Sequence, residues 1–223
     1  MADVTENLGE NLQEGLGKVE QFVEDNKQKV LVAGGIVVVL VVGLVYLFAK
    51  FLPEQNLKAQ KAMYMAEFAF AKDSFAVALN GNAANKGFAQ VANDFGWTKA
   101  GKLANYYAGI CCLNLKKFDD AVKYLDKFST SDPILGALRL SALGDAYTEL
   151  GKFDDGIKQY EKAAAFSDNE SYTPYFLFKA GLAYEKAKKP EDAKKCYEKV
   201  RSQYPNSDEG RDIEKYIARV STQ

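Results

Sequence analysis

Histidine is absent from all 223 residues. That removes Ser–His and Cys–His nucleophile pairs, His-ligated zinc and imidazole acid–base chemistry. Cysteine is scarce. Cys111 and Cys112 are adjacent and Cys196 is far away, so the three form neither a zinc-like pattern nor a disulfide framework. A free Cys of this kind usually acts as a small apolar residue. Five prolines are too few for a disordered or linker-dominated chain. Neither sign of charge is in excess, with 29 basic and 30 acidic residues. A phosphate-rich partner needs a concentrated basic surface, so nucleic-acid binding is not expected. A Walker-type glycine loop is missing as well. Asp119-Asp120 and Asp154-Asp155 resemble catalytic carboxylate pairs, but both occupy one position of a repeated unit, where acids favour the positive end of a helix. The expectation is a binding protein without cofactor or metal, not an enzyme.

What is present divides the chain into unlike parts. Residues 30–49, VLVAGGIVVVLVVGLVYLFA, carry no charge. At about 1.5 Å per residue a helix of that length covers the roughly 30 Å hydrocarbon core of a bilayer. A cleaved signal peptide fits less well, because its apolar region is usually about 7–15 residues behind a short basic segment. Here 29 residues with three Lys and seven acids come first. A single transmembrane helix is expected. Lys18, Lys27 and Lys29 upstream balance Lys50, Lys58 and Lys61 downstream, so charge does not orient it. Within the span, Gly35, Val39 and Gly43 share one face and would permit close helix approach.

Segment 1–29 holds Leu8, Leu12, Leu16, Val19 and Val23 at helical spacing, with Glu6, Glu10, Glu14, Glu20 and Glu24 on other faces. Two readings stay open: an amphipathic helix that docks on a protein, and a frayed terminus with nascent helicity.

The remaining 174 residues repeat internally. KKFDDAVKYLDKF (116–128), GKFDDGIKQYEKA (151–163) and KKPEDAKKCYEKV (188–200) align without gaps at offsets of 35 and 37. YAGICCL (107–113), ALGDAYT (142–148) and KAGLAYE (179–185) precede them at the same offsets, bringing Gly109, Gly144 and Gly181 into register. Small residues let two helices cross closely, and Tyr or Phe fills the space between hairpins. Pro133 and Pro205 are expected to stop the second helix of their units. Thr98, and Asn206 or Ser207, are expected N-caps. Residues 50–98 match more loosely. Phe68 and Phe75 would pack onto the next hairpin, and Asn80-Gly81-Asn82 would form a turn. Ile213, Tyr216, Ile217 and Val220 give residues 207–223 a face that seals the array.

Residues 99–206 resemble tetratricopeptide repeats. The matches are Gly109, Phe118, Ala121 and Pro133 in the first unit, with Cys112 where Tyr is usual. Leu143, Gly144, Tyr147, Phe153, Tyr160 and Ala163 match in the second, with Gly156 replacing Ala. The third supplies Gly181, Tyr184, Ala193, Tyr197 and Pro205, with Pro190 in place of the aromatic. The resemblance implies an all-α fold. It would be a right-handed superhelix of three clear hairpins, a degenerate N-terminal repeat and a C-terminal capping helix, behind the single transmembrane helix. In such arrays the first helices line a concave groove. By repeat position that groove would present Leu103, Tyr106, Ile110 and Leu113; Leu138, Ser141, Asp145 and Thr148; and Tyr175, Phe178, Leu182 and Glu185. Each apolar member has two readings, groove contact and packing against a neighbouring helix. The family's clamp for acidic C-terminal peptides uses Lys, Arg and Asn at these positions, and none of the twelve is one. The partner expected is another protein, through an apolar peptide segment or a helix.

The layout as a whole, a short acidic segment, one span and a compact repeat array, resembles the YfgM-like bacterial proteins. That resemblance implies a cytoplasmic N-terminus, a periplasmic repeat domain, and the Sec translocon, periplasmic chaperones or emerging chains as partners. An anchored scaffold of an envelope complex and a cytosol-facing receptor like those of mitochondrial import remain as alternatives.

Overall fold

A computed structural model of the chain describes residues 16–18, 20–166 and 169–222, in two units, Met1–Glu54 and Gln55–Gln223. Leu8, Leu12 and Val19 of the N-terminal stripe, with Glu6, Glu10 and Glu14, lie outside the described residues, while Leu16 and Val23 are exposed.

In the first unit α1 (Lys27–Tyr46) buries none of its residues and is apolar on every face. Such a helix is not the amphipathic kind that packs one stripe on a core. It lies in the one helical stretch, among the described residues, that is long and apolar enough to cross a membrane. A π-helical turn, Leu47–Phe51, carries Lys50 in its last turn.

The elements that follow build the second unit, except that the first of them begins three residues earlier, at Leu52. Helix α2 spans Leu52–Phe70, α3 Phe75–Asn80, α4 Phe88–Phe95 and α5 Lys99–Asn114. They are followed by α6 (Phe118–Lys127), α7 (Pro133–Glu149) and α8 (Phe153–Phe166), then α9 (Thr173–Lys186), α10 (Pro190–Gln203) and α11 (Asp208–Ser221). Consecutive helices from α4 to α11 pack against each other, and α5 also meets α7 as α9 meets α11. The pairs α5–α6, α7–α8 and α9–α10 are therefore three stacked hairpins.

Local chemistry explains several of the boundaries. Thr98 is buried, and its Oγ1 accepts from Gly101 N at 3.0 Å while donating to the Phe95 carbonyl at 2.8 Å. Asp132 Oδ1 accepts from Leu135 N, and Ser207 Oγ from Gly210 N. Acids fill the first turns of α6, α8, α10 and α11, where the unpaired N–H groups carry partial positive charge. Each hairpin then turns in one way. Lys116, Gly151 and Lys188 have φ of 57°, 74° and 58°, and the following N–H reaches back to the carbonyls of Cys112, Tyr147 and Tyr184. A left-handed residue with this 6→1 bond is the Schellman ending of a helix.

Two expectations need correction. Pro133 does not end α6, which stops at Lys127; it is the first residue of α7, where its missing N–H leaves no helical bond unmade. Phe68 is exposed, and Phe70 packs edge-on to Phe75 at 5.5 Å. Phe70 also meets Phe88 and Tyr107, with Ala59, Met63 and Ala66 of α2 joining the same core. Gly81 (φ 77°) forms the turn after α3 and a single antiparallel bridge to Lys86.

Candidate functional site: the groove of the first helices

Seven of the twelve groove positions line one cavity of about 550 Å³ formed by α5, α7 and α9: Tyr106, Ile110, Leu113, Leu138, Ser141, Asp145 and Tyr175. The other five lie elsewhere. Leu103 packs into the N-terminal core. Thr148 is buried, its hydroxyl against the backbone of Gly156. Phe178 packs edge-on to Tyr216 at 4.7 Å, so its ring joins the third hairpin to α11. Leu182 is half-buried on α9. Glu185 accepts from the Tyr197 hydroxyl at 2.5 Å and from Arg219 Nε and Nη2 at 2.9 and 2.6 Å.

The cavity is lined by an apolar set and a polar set of side chains. Ile110, Leu113, Leu138 and Ala142 make up the first. In the second, Lys179 Nζ donates to Asp145 Oδ1 and Oδ2, both at 2.7 Å. Tyr160, from α8 behind, donates its hydroxyl to Asp145 Oδ1. The Lys179 ammonium also lies 4.6 Å from the centre of the Tyr175 ring, within cation–π range. Burial pushes Lys179 down, but the charge and hydrogen bonds of Asp145, with Tyr175, outweigh it and hold the amine above its ordinary range. Burial, then the Asp145 charge, raises Tyr160, so its hydroxyl stays a donor. Tyr106 is pushed up to about 12, by burial first and then by Tyr107.

Lys179 belongs to the site and escaped the repeat-position reading. Its one signal was spacing: it follows Asp145 by 34 residues, nearly one repeat, as Arg219 follows Glu185. Both pairs tie a first helix to the next along the array.

Burial holds the Cys111 and Cys112 thiols up to about 12 and 11, and Cys196 up to about 11, so all three are protonated at neutral pH and poorly nucleophilic. Among the described residues no group of three His, Cys, Asp or Glu is placed to hold a metal ion.

Residues 140–169 and 175–207 each match a family model described as "Tetratricopeptide repeat". Those two segments carry the tetratricopeptide repeat. Its fold is similar to that in the crystal structure of the MamA protein, with a TM-score of 0.59 and 19% identity over 76% of this chain and 82% of that one. At such identity the likeness is one of fold. No curated protein matches the chain in sequence. The matched tetratricopeptide segments cover most of α7–α8 and α9–α10, and α5–α6 repeats their turn geometry and glycine packing. Stacked repeats of this kind present an extended concave surface to other proteins.

Proposed function

We propose that this chain is a membrane-anchored interaction protein whose tetratricopeptide repeats take up apolar segments of other proteins in the cavity between α5, α7 and α9. In this reading α1 is the anchor of a bacterial inner-membrane protein and the repeats face the periplasm. There they link the translocon or resident chaperones to emerging chains. The carrying observation is the convergence of Tyr106, Ile110, Leu113, Leu138 and Tyr175 on one cavity. Aromatic and aliphatic side chains left half-open in a concave site suit an apolar peptide better than a polar ligand. The order of parts, acidic segment, apolar span, repeat array, supports the anchored and periplasmic placing through its likeness to YfgM-like proteins.

Photo-crosslinkers at Leu138 and Tyr175 in the full chain, in native membranes, test the reading. Expected adducts are incompletely folded or emerging chains together with translocon or chaperone components. A fixed set of folded envelope proteins would favour the scaffold alternative. Protease added to spheroplasts should trim the chain after residue 50, and protection there would transfer the repeats to the cytosol.

A further inference from the structure

Resting on the groove reading, we infer that the cavity between α5, α7 and α9 selects an uncharged apolar segment that offers a hydrogen-bond donor to Asp145, and rejects acidic segments. The cavity does hold a cation, so an acidic partner is the obvious guess. The hydrogen bonds point the other way. An ammonium has three protons. Two of those on Lys179 are donated to Asp145 Oδ1 and Oδ2, and the ammonium also engages Tyr175. Its charge is answered inside the protein.

Asp145 is not filled in the same way. An ionised carboxylate has about four acceptor sites, two on each oxygen. Oδ1 accepts from Tyr160 and Lys179, whereas among the described residues Oδ2 accepts from Lys179 alone. One site on Oδ2 is left, on a side chain that keeps 33% of its surface open. At Lys179 an incoming carboxylate would have to displace Asp145 and then sit beside it, unpaired. An incoming ammonium would meet Lys179. Glu149 and Lys116 line the same cavity, but Lys116 is exposed and Glu149 stands 3.7 Å from Lys186, so solvent screens both and neither offers a buried charge to pair with. A neutral donor, a backbone N–H or a carboxamide, fits the remaining site while apolar side chains rest on Ile110, Leu113 and Leu138. That is the chemistry of an extended apolar stretch whose backbone N–H groups are not yet paired.

The full chain in lipid nanodiscs, titrated with fluorescent peptides of one Val/Leu-rich sequence, tests this. The peptides carry Gln, Lys or Glu at a single central position, and a further set has one backbone amide methylated at a time. The Gln peptide should bind tightest and the Glu peptide weakest, by about tenfold, the worth of one such hydrogen bond. One methylated amide should cost a similar factor. Asp145→Asn frees Lys179 and should reverse the order in favour of Glu. If that variant fails to fold by circular dichroism, the order and the methylation series on the unaltered chain decide alone. Glu binding as tightly as Gln would overturn the inference while leaving the groove intact, as would a methylation series without effect. Absence of binding by every peptide would overturn the groove reading with it.

Discussion

Tyr160 occupies the space that a side chain on Gly144 would need: a Cβ there would stand 2.5 Å from Tyr160 Cε1. The two are sixteen residues apart, and the same separation sets Leu125 against Gly109 and Tyr197 against Gly181. Each hairpin is thus closed by a bare patch of backbone on its first helix and a large side chain from its second. Gly144→Ala and Gly181→Ala should each destabilise the fold by about 1–3 kcal/mol, the usual cost of overpacking a filled core. Urea unfolding of the full chain in detergent gives the measurement, and unchanged midpoints would mean that the rings move aside freely.

The hairpin turns make the opposite case for glycine. Lys188 adopts a left-handed φ of 58° that costs a side-chain-bearing residue about 1–2 kcal/mol. Lys188→Gly should raise stability by about 0.5–1 kcal/mol after the greater freedom of glycine in the unfolded chain is subtracted. Gly151→Ala, where no heavy atom lies within 4 Å of the added Cβ, should lose about 1 kcal/mol from backbone strain alone. Thermal melts of the pair separate strain from crowding, since neither change creates a clash.

Lys179 and Asp145 should behave as a unit. Lys179→Met leaves a partly buried carboxylate with, among the described residues, only Tyr160 as donor and should cost about 1–3 kcal/mol, reduced by the solvent that still reaches Asp145. Adding Asp145→Leu should recover part of that loss, because the stranded charge is gone. A double-mutant cycle measures the coupling, and strict additivity would show that the pair is decorative.

Alkaline pH should loosen the core. Burial holds Cys111 and Cys112 up to about 12 and 11 against an ordinary 9.0, so folding favours their protonated forms. That contribution is complete below about pH 9 and is lost as pH climbs through 11 to 12. Melting temperature should therefore fall from pH 9 upward, and Cys111→Ala with Cys112→Ala should flatten part of the slope. At pH 8 a maleimide should label neither thiol until the protein is unfolded.

The hairpins were legible because each of their parts recurs: Gly109, Gly144 and Gly181 in one register, and the paired acids at the start of α6 and α8 in another. Boundaries were legible where a side chain does one job, as with Thr98 and Ser207. Pro133 misled because proline is equally at home just after one helix and first in the next, and its spacing does not choose. Phe68 and Phe70 differ by two positions on α2, about 200° of rotation, and the core side of a helix rich in Ala, Met and Phe cannot be read from pattern alone. The site was harder than the fold. The place of Phe178 in the repeat allows groove contact or packing against a neighbouring helix, and only α11, whose Tyr216 meets its ring, decides for packing. Lys179 was overlooked because its partner lies on a different hairpin, and that reach depends on how successive hairpins are rotated.

The ion pairs between first helices also make the order of the repeats matter. Asp145 meets Lys179 and Glu185 meets Arg219, each pair 34 residues apart, but the two acids are at different heights on their helices. The position in the third repeat that answers to Asp145 is Leu182, and the one in the second that answers to Glu185 is Thr148. A hairpin moved one place along would face the wrong neighbour, with a carboxylate opposite carbon. Copying or shuffling either of these units would break its pair at the new junction; the second and third repeats are each addressed to the helix hairpin or cap that follows.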